Sequence, residues 1–123
     1  MSIKVERSGF DPMVGFQYYL YFKPHMAEEG AEVKKRIPVE VAVSVSESGE
    51  LADCTFEIPK PLRTDDAISF LRHQDCVNYH PPMVFIDFPG HSGDAVIRAA
   101  ANLDLDLAGR IMGMELLWSP QSD

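Results

Sequence analysis

The residue types best able to do chemistry gather in the second half of the chain: His73-x-x-Cys76-x-x-x-His80, with His91 further on. Imidazole nitrogens and thiolate sulfurs are favoured zinc ligands, and four of them complete a tetrahedral site. The spacing therefore predicts zinc as the candidate cofactor, held by His73, Cys76, His80 and His91. The same residues would suit a thiol enzyme, with Cys76 activated by a neighbouring histidine. Neither reading is complete. A structural zinc site normally shows two close ligand pairs, which this pattern lacks, and no Gly-x-Ser-x-Gly turn or other oxyanion donor marks a catalytic centre. A plainer reading places His73 at a helix C-terminus, where positive charge is favourable. It leaves Cys76 in the core and His80 in a loop before Pro81-Pro82. No residue is assigned as catalytic, and a small metal- or thiol-dependent enzyme stands as the alternative function.

Two other patterns are weaker. Asp104-x-Asp106-x-x-Gly109 resembles the start of a calcium loop, but Ala108 occupies the place of the third acid. These acids read as solvent-facing residues of an alternating strand, with Asp106 opening a turn. Lys34, Lys35 and Arg36 form a basic run whose charge Glu28, Glu29 and Glu32 neutralise, in a polar segment, residues 25–36, that reads as a loop.

A different signal comes from aromatic residues. In the segment from Phe16 to Phe22, residues 16, 18, 20 and 22 share one strand face, and Gln17, Tyr19 and Tyr21 share the other. Tyrosine and tryptophan suit half-wetted contacts, so Tyr19, Tyr21 and Trp118 are the candidate interface residues.

The elements that must position these residues are mostly strands. Ile37, Val39, Val41, Val43 and Val45 alternate with Pro38, Glu40, Ala42, Ser44 and Ser46, and Gly49 closes a hairpin onto Leu51 to Ile58. Thr64-Asp65-Asp66 is a helix start, a hydroxyl cap followed by acids, for a helix of about ten residues carrying Ala67, Phe70, Leu71 and Gln74. Residues 83–88, 95–107 and 111–118 complete the strands.

The chain also repeats itself. Val43 to Leu51 and Leu103 to Ile111 are both an alternating strand, a turn ending in glycine (Gly49, Gly109) and a second apolar strand. The second copy continues through Gly113-Met114-Glu115-Leu116-Leu117. This hairpin resembles the closing strands of the bacterial domain of unknown function 2283 family. Phe10-Asp11 and Tyr18 to Phe22 resemble that family's opening, and Val41 to Ile58 its close. The resemblance implies two tandem copies, a bacterial origin and a small partner-protein role. It implies no activity.

With 123 residues, 46% of them hydrophobic, the chain is expected to form a single domain over 1–123. Its related units lie near 3–59 and 77–118, with a helix-containing connector at 60–76. A net charge of -8 repels phosphate backbones and argues against nucleic acid as a partner. No apolar run reaches the roughly 20 residues of a membrane span, and no signal-peptide core is evident, so a cytoplasmic protein is expected. The expectation is therefore an α+β fold: an antiparallel sheet of about six strands built from two hairpin-containing units, with one connecting helix. The expected function is a non-enzymatic protein-interaction module, with itself as a homodimer or another small protein as partner. A small-molecule-binding protein is a further alternative.

Overall fold

Ile37, Val39, Val41, Val43 and Val45 build one face of the long central strand, as their spacing predicts, and the last three of them are buried. The computed structural model describes residues 3–11, 15–23, 33–46, 49–72, 74–88, 90, 93 and 95–118. Its elements are β1 (Lys4–Asp11), β2 (Gly15–Tyr21), β3 (Lys35–Val45), β4 (Leu51–Glu57), a 3-10 turn (Lys60–Leu62), α1 (Ser69–Arg72), β5 (Val77–His80), β6 (Met83–Asp87), β7 (Ala95–Leu105) and β8 (Ile111–Trp118). All eight strands form one sheet in the order β1-β2-β8-β7-β3-β4-β6-β5, and every ladder is antiparallel.

Two expectations are corrected. The fold is not α+β with six strands: the described residues form an eight-stranded curled half-barrel with one 3-10 turn and a single short helix. The extra strands are the two sheet edges. In β1, charged and small residues surround Val5, a pattern that hides an edge strand because an edge needs little apolar surface. In β5, four residues precede Pro81-Pro82, which form the turn into β6. The expected ten-residue helix shrinks to four. Its cap is present, Ala67 N–H donating to Thr64 Oγ1 at 3.2 Å, but the chain then mixes three- and four-residue hydrogen bonds, and Ala67, Ile68 and Leu71 pack as a turn against the sheet. So short a helix has no stability of its own and forms only where packing holds it.

The sheet order reads the same when β1–β4 are exchanged for β5–β8. The register obeys this exchange residue by residue. Glu40 faces Ala100 at the midpoint of the β3–β7 ladder, and residues sixty apart in the sequence occupy equivalent positions in β3–β4 and β7–β8. Ser44 opposite Asp53 matches Asp104 opposite Gly113, and the register shift in each hairpin falls one residue later. The turns agree as well: Gly49 N–H donates to the Ser46 carbonyl and Gly109 N–H to that of Asp106, both at 3.0 Å.

One face of the sheet curls around the core. Tyr18, Leu20 and Phe22 of the second-strand segment, Cys54 and Phe56 of β4, Val84 and Ile86 of β6, Leu103 and Leu105 of β7, and Met114 and Leu116 of β8 all point into it. The curl brings the two edges together at one place, where the Ile3 backbone hydrogen-bonds the Cys76 thiol. Gln74 Nε2 donates to the Phe22 carbonyl at 2.7 Å and ties the helical turn to the end of β2. Among the described residues, no helix is long and apolar enough to cross a membrane.

Candidate functional site

The outer face of the sheet carries two regions that the internal exchange makes equivalent in position and different in chemistry. The first lies on β2, β8 and β7. Tyr19 projects from β2, opposite Glu115 in the ladder. Its hydroxyl donates to Asp104 Oδ2 at 2.7 Å, and Arg36 Nε donates to Asp104 Oδ1 at 3.1 Å. Asp104 is 1% exposed, so both of its oxygens need these donors. Burial and the neighbouring carboxylate push the Tyr19 hydroxyl well above the ordinary tyrosine range. Gly113 makes the arrangement possible, because a Cβ there would collide with the Tyr19 ring. Tyr21 stacks tilted against Tyr19, with centroids 4.6 Å apart, and donates to Glu6 Oε2 at 2.9 Å.

This cluster corrects the solvent-facing reading of Asp104 and Asp106, since both are buried. Asp106 does open the turn: its Oδ1 accepts from the N–H groups of Ala108 and Arg110, and its Oδ2 from Arg110 Nε. Asp104 lies at an outward position of an alternating strand, and no local pattern distinguishes it from an exposed acid. Only the register that sets Tyr19 and Arg36 beside it reveals the difference.

The equivalent region on β3, β4 and β6 is open. Phe85 stands where Tyr19 stands in the other half, Ser44 replaces Asp104, and Asp53 replaces Gly113. The sheet itself parts here. β4 pairs with β3 from Leu51 to Phe56 and then leaves it, staying with β6 through Glu57 opposite Met83 and Ile58 N–H to the Pro82 carbonyl at 2.8 Å. Pro59 and the 3-10 turn carry the chain away. β3 runs on past this point, so among the described residues Lys35 to Glu40 are in ladder with β7 alone.

A groove of about 670 Å³ opens at the parting. Ala42 and Thr55 form its outer floor, where the other half has the larger Asn102 and Glu115. Val39 and Phe56 line its deeper side, and Met83, on the same face as Phe85, borders it from β6. Glu40 and Arg98 pair at the rim, at 2.9 Å, and Glu57 borders the far side with Arg63 at 3.6 Å.

Ser46 N–H donates across the hairpin to the Glu50 carbonyl at 2.9 Å. The extra residue of the β3–β4 bulge belongs to β4, so alternation along β3 is unbroken. It follows that Glu40, Pro38 and Arg36 turn their backbone groups toward the groove. Pro38 lacks an N–H and loses no ladder bond there.

The other predicted residues are dispersed. Cys76 and His80 bracket β5, about 13 Å apart at the rise of an extended strand, too far to ligate one ion without rearrangement. His80 is exposed and meets Phe85 edge-on at 5.9 Å. His73 and His91 lie outside the described residues, as do residues 25–32. Among the described residues, no group of three or more His, Cys, Asp or Glu side chains could hold a metal. Cys54 is fully buried, and burial pushes its thiol far up; burial also raises that of Cys76, which disfavours the thiolate at both. Trp118 is half-buried against the core, opposite Phe16 in the β2–β8 ladder. Sequence reasoning missed the groove because it depends on where two ladders end and on two small residues whose shared face only the register discloses.

Comparison with family models, with curated proteins and with solved structures returns no match.

Proposed function

We propose that this protein is a non-enzymatic interaction module whose groove receives an extended segment of another polypeptide. The observation that carries the reading is the parting of β4 from β3, which among the described residues leaves six residues of β3 in ladder on one side beside a groove of about 670 Å³. Strand addition uses such an edge: backbone hydrogen bonds supply affinity, and pockets for alternate side chains supply selectivity. An edge of six residues spans about 20 Å, long enough for a short peptide.

The aromatic residues fit this reading in a different role. The hydroxyls of Tyr19 and Tyr21 are engaged by Asp104 and Glu6 within the chain. They stiffen the half of the outer face that faces away from the groove. The two thiols are free, which supports a reducing compartment such as the cytoplasm.

Selection from a random peptide display library tests the proposal. Thr55→Trp fills the groove floor with a strand-compatible residue on the outer face and serves as the counter-target. The expected result is a set of peptides that bind the natural protein, fail on Thr55→Trp, and slow hydrogen exchange in residues 35–40. If every selected peptide binds both proteins equally, the groove is not the docking site.

A further inference from the structure

We propose that Pro38 decides what the edge beside the groove accepts: it admits one strand of a different polypeptide and bars a second copy of this chain; this rests on the strand-accepting reading above. Pro38 lies inside the stretch Lys35 to Glu40, exposed, and opposite Asn102 in the β3–β7 ladder. Alternation along β3 turns the backbone groups of Arg36, Pro38 and Glu40 toward the groove. Arg36 and Glu40 each carry an N–H and a carbonyl. Pro38 carries a carbonyl alone, because its ring replaces the N–H.

A foreign strand laid along this edge meets one missing donor. A second copy meets two, since a self-pairing that covers the stretch in both chains brings Pro38 in twice. The side chains alone would permit such a pairing. Ile37 and Val39 are apolar and half-buried, and the stretch carries both signs of charge in Arg36 and Glu40. The discrimination therefore falls to the backbone of Pro38. The two outer edges of the sheet are guarded by other means: β1 is charged and broken by a register shift between Arg7 and Gly9, and β5 has four residues. Proline and lysine are common guards of an exposed edge, and this inner edge has both, with Lys35 exposed at its open end.

Pro38→Val and Pro38→Thr both restore the donor on a strand-compatible residue. Fluorescence anisotropy follows a labelled peptide of about eight residues that alternates valine with glutamine, long enough to cover the edge. Sedimentation equilibrium follows self-association of the full chain. One backbone hydrogen bond is worth about fivefold in affinity, so each variant should bind the peptide about fivefold more tightly than the natural protein. Self-association gains two bonds and should rise by the square of that factor, about 25-fold, from a natural protein that is monomeric. Thr55→Trp in the same chain should abolish both effects. If the variants bind the peptide more tightly yet remain monomeric, the bar against a second copy is overturned and the strand-accepting edge stands. If neither quantity changes while the peptide still binds the natural protein and is lost on Thr55→Trp, the proposal falls alone. If the peptide binds none of these proteins, the strand-accepting reading falls and the proposal with it. Self-association that survives Thr55→Trp, or that appears in the valine variant only, is apolar contact and overturns the proposal. So does a natural protein that is already a dimer and loses it on Thr55→Trp.

Discussion

Tyr19 reaches across the outer face of the sheet to Asp104, 85 positions away in the sequence, and seals a carboxylate that is 1% exposed. The contact fastens β2 to β7 over the top of β8, so one hydrogen bond spans three strands. Arg36 completes the cluster from β3. Three strands, β2, β7 and β3, are thereby tied together by three side chains.

Tyr19→Phe keeps the ring and removes the donor. Asp104 then retains Arg36 on one oxygen and nothing from Tyr19 on the other. Leaving a buried acceptor unsatisfied costs about 2 kcal/mol, which for a chain of this size lowers Tm by roughly 4 °C per kcal/mol. Thermal melting at neutral pH checks the figure. A shift within error of zero would mean that water replaces the phenol without loss.

The same residue sets a pH dependence at the alkaline end. In the folded protein Tyr19 holds its proton far above the ordinary value of 10.0, chiefly through burial and then through Asp104. The unfolded chain releases that proton near the ordinary value. The stabilisation is therefore complete below pH 10 and is lost as pH rises, by up to about 1.4 kcal/mol per pH unit. Tyr19→Phe lacks this term. The stability gap between the natural protein and the variant should narrow steadily above pH 10, as measured by urea unfolding. A gap that stays constant would show that Tyr19 titrates normally in the folded state.

Gly113 is the fourth part of the cluster, visible only through what it lacks. A methyl group there would meet the Tyr19 ring, so Gly113→Ala must displace the ring from Asp104. Overpacking of this kind typically costs 1–3 kcal/mol, here about 2. The cost should largely vanish in a Tyr19→Ala background, where the ring is absent, and a double-mutant cycle read by urea unfolding measures the difference. Equal costs in both backgrounds would place the strain in the backbone instead of at the ring.

How much of this was legible beforehand depends on the range of the interaction concerned. Period-two alternation exposes strands whose two faces differ, and β3 has such faces: Val41, Val43 and Val45 are buried and Glu40 is exposed. The glycine turns at Gly49 and Gly109 are local chemistry and form as their residues predict. β1 and β5 were hidden because an edge strand can be short and charged and still be held by one neighbour. The helix was overestimated because a good cap at Thr64 initiates a helix but does not extend it. Asp104 and the groove were hidden for a single reason. Which outward residues become buried, and where a ladder ends, is decided by the pairing of segments far apart in the chain.

Asp106 and Ser46 occupy equivalent turns, and the pair makes a last comparison available. Ser46 Oγ accepts from the residue 50 N–H at 3.1 Å, and Asp106 Oδ1 accepts from the residue 110 N–H at 2.9 Å. Asp106 adds bonds to Ala108 N–H and to Arg110 Nε, and Arg110 in turn lies over the Phe70 ring at 4.7 Å. Burial pushes the Asp106 carboxyl up, but the Arg110 backbone and side chain together with Ala108 outweigh it and hold the group below its ordinary 3.8. A depressed carboxyl stabilises the fold above its unfolded pKa, and that contribution disappears as pH falls through the folded value. Asp106→Ala should cost about 2 kcal/mol at neutral pH by removing all three bonds. Asp106→Ser should recover part of that loss, because it recreates the bond seen at Ser46. Below the ordinary carboxylate range, near pH 3 and lower, the natural protein should lose its advantage over Asp106→Ser as its own carboxyl protonates. Urea unfolding of the three proteins from neutral to acid pH measures each step. A serine variant as unstable as the alanine variant would show that the charge on Asp106, and not the turn geometry, holds this hairpin.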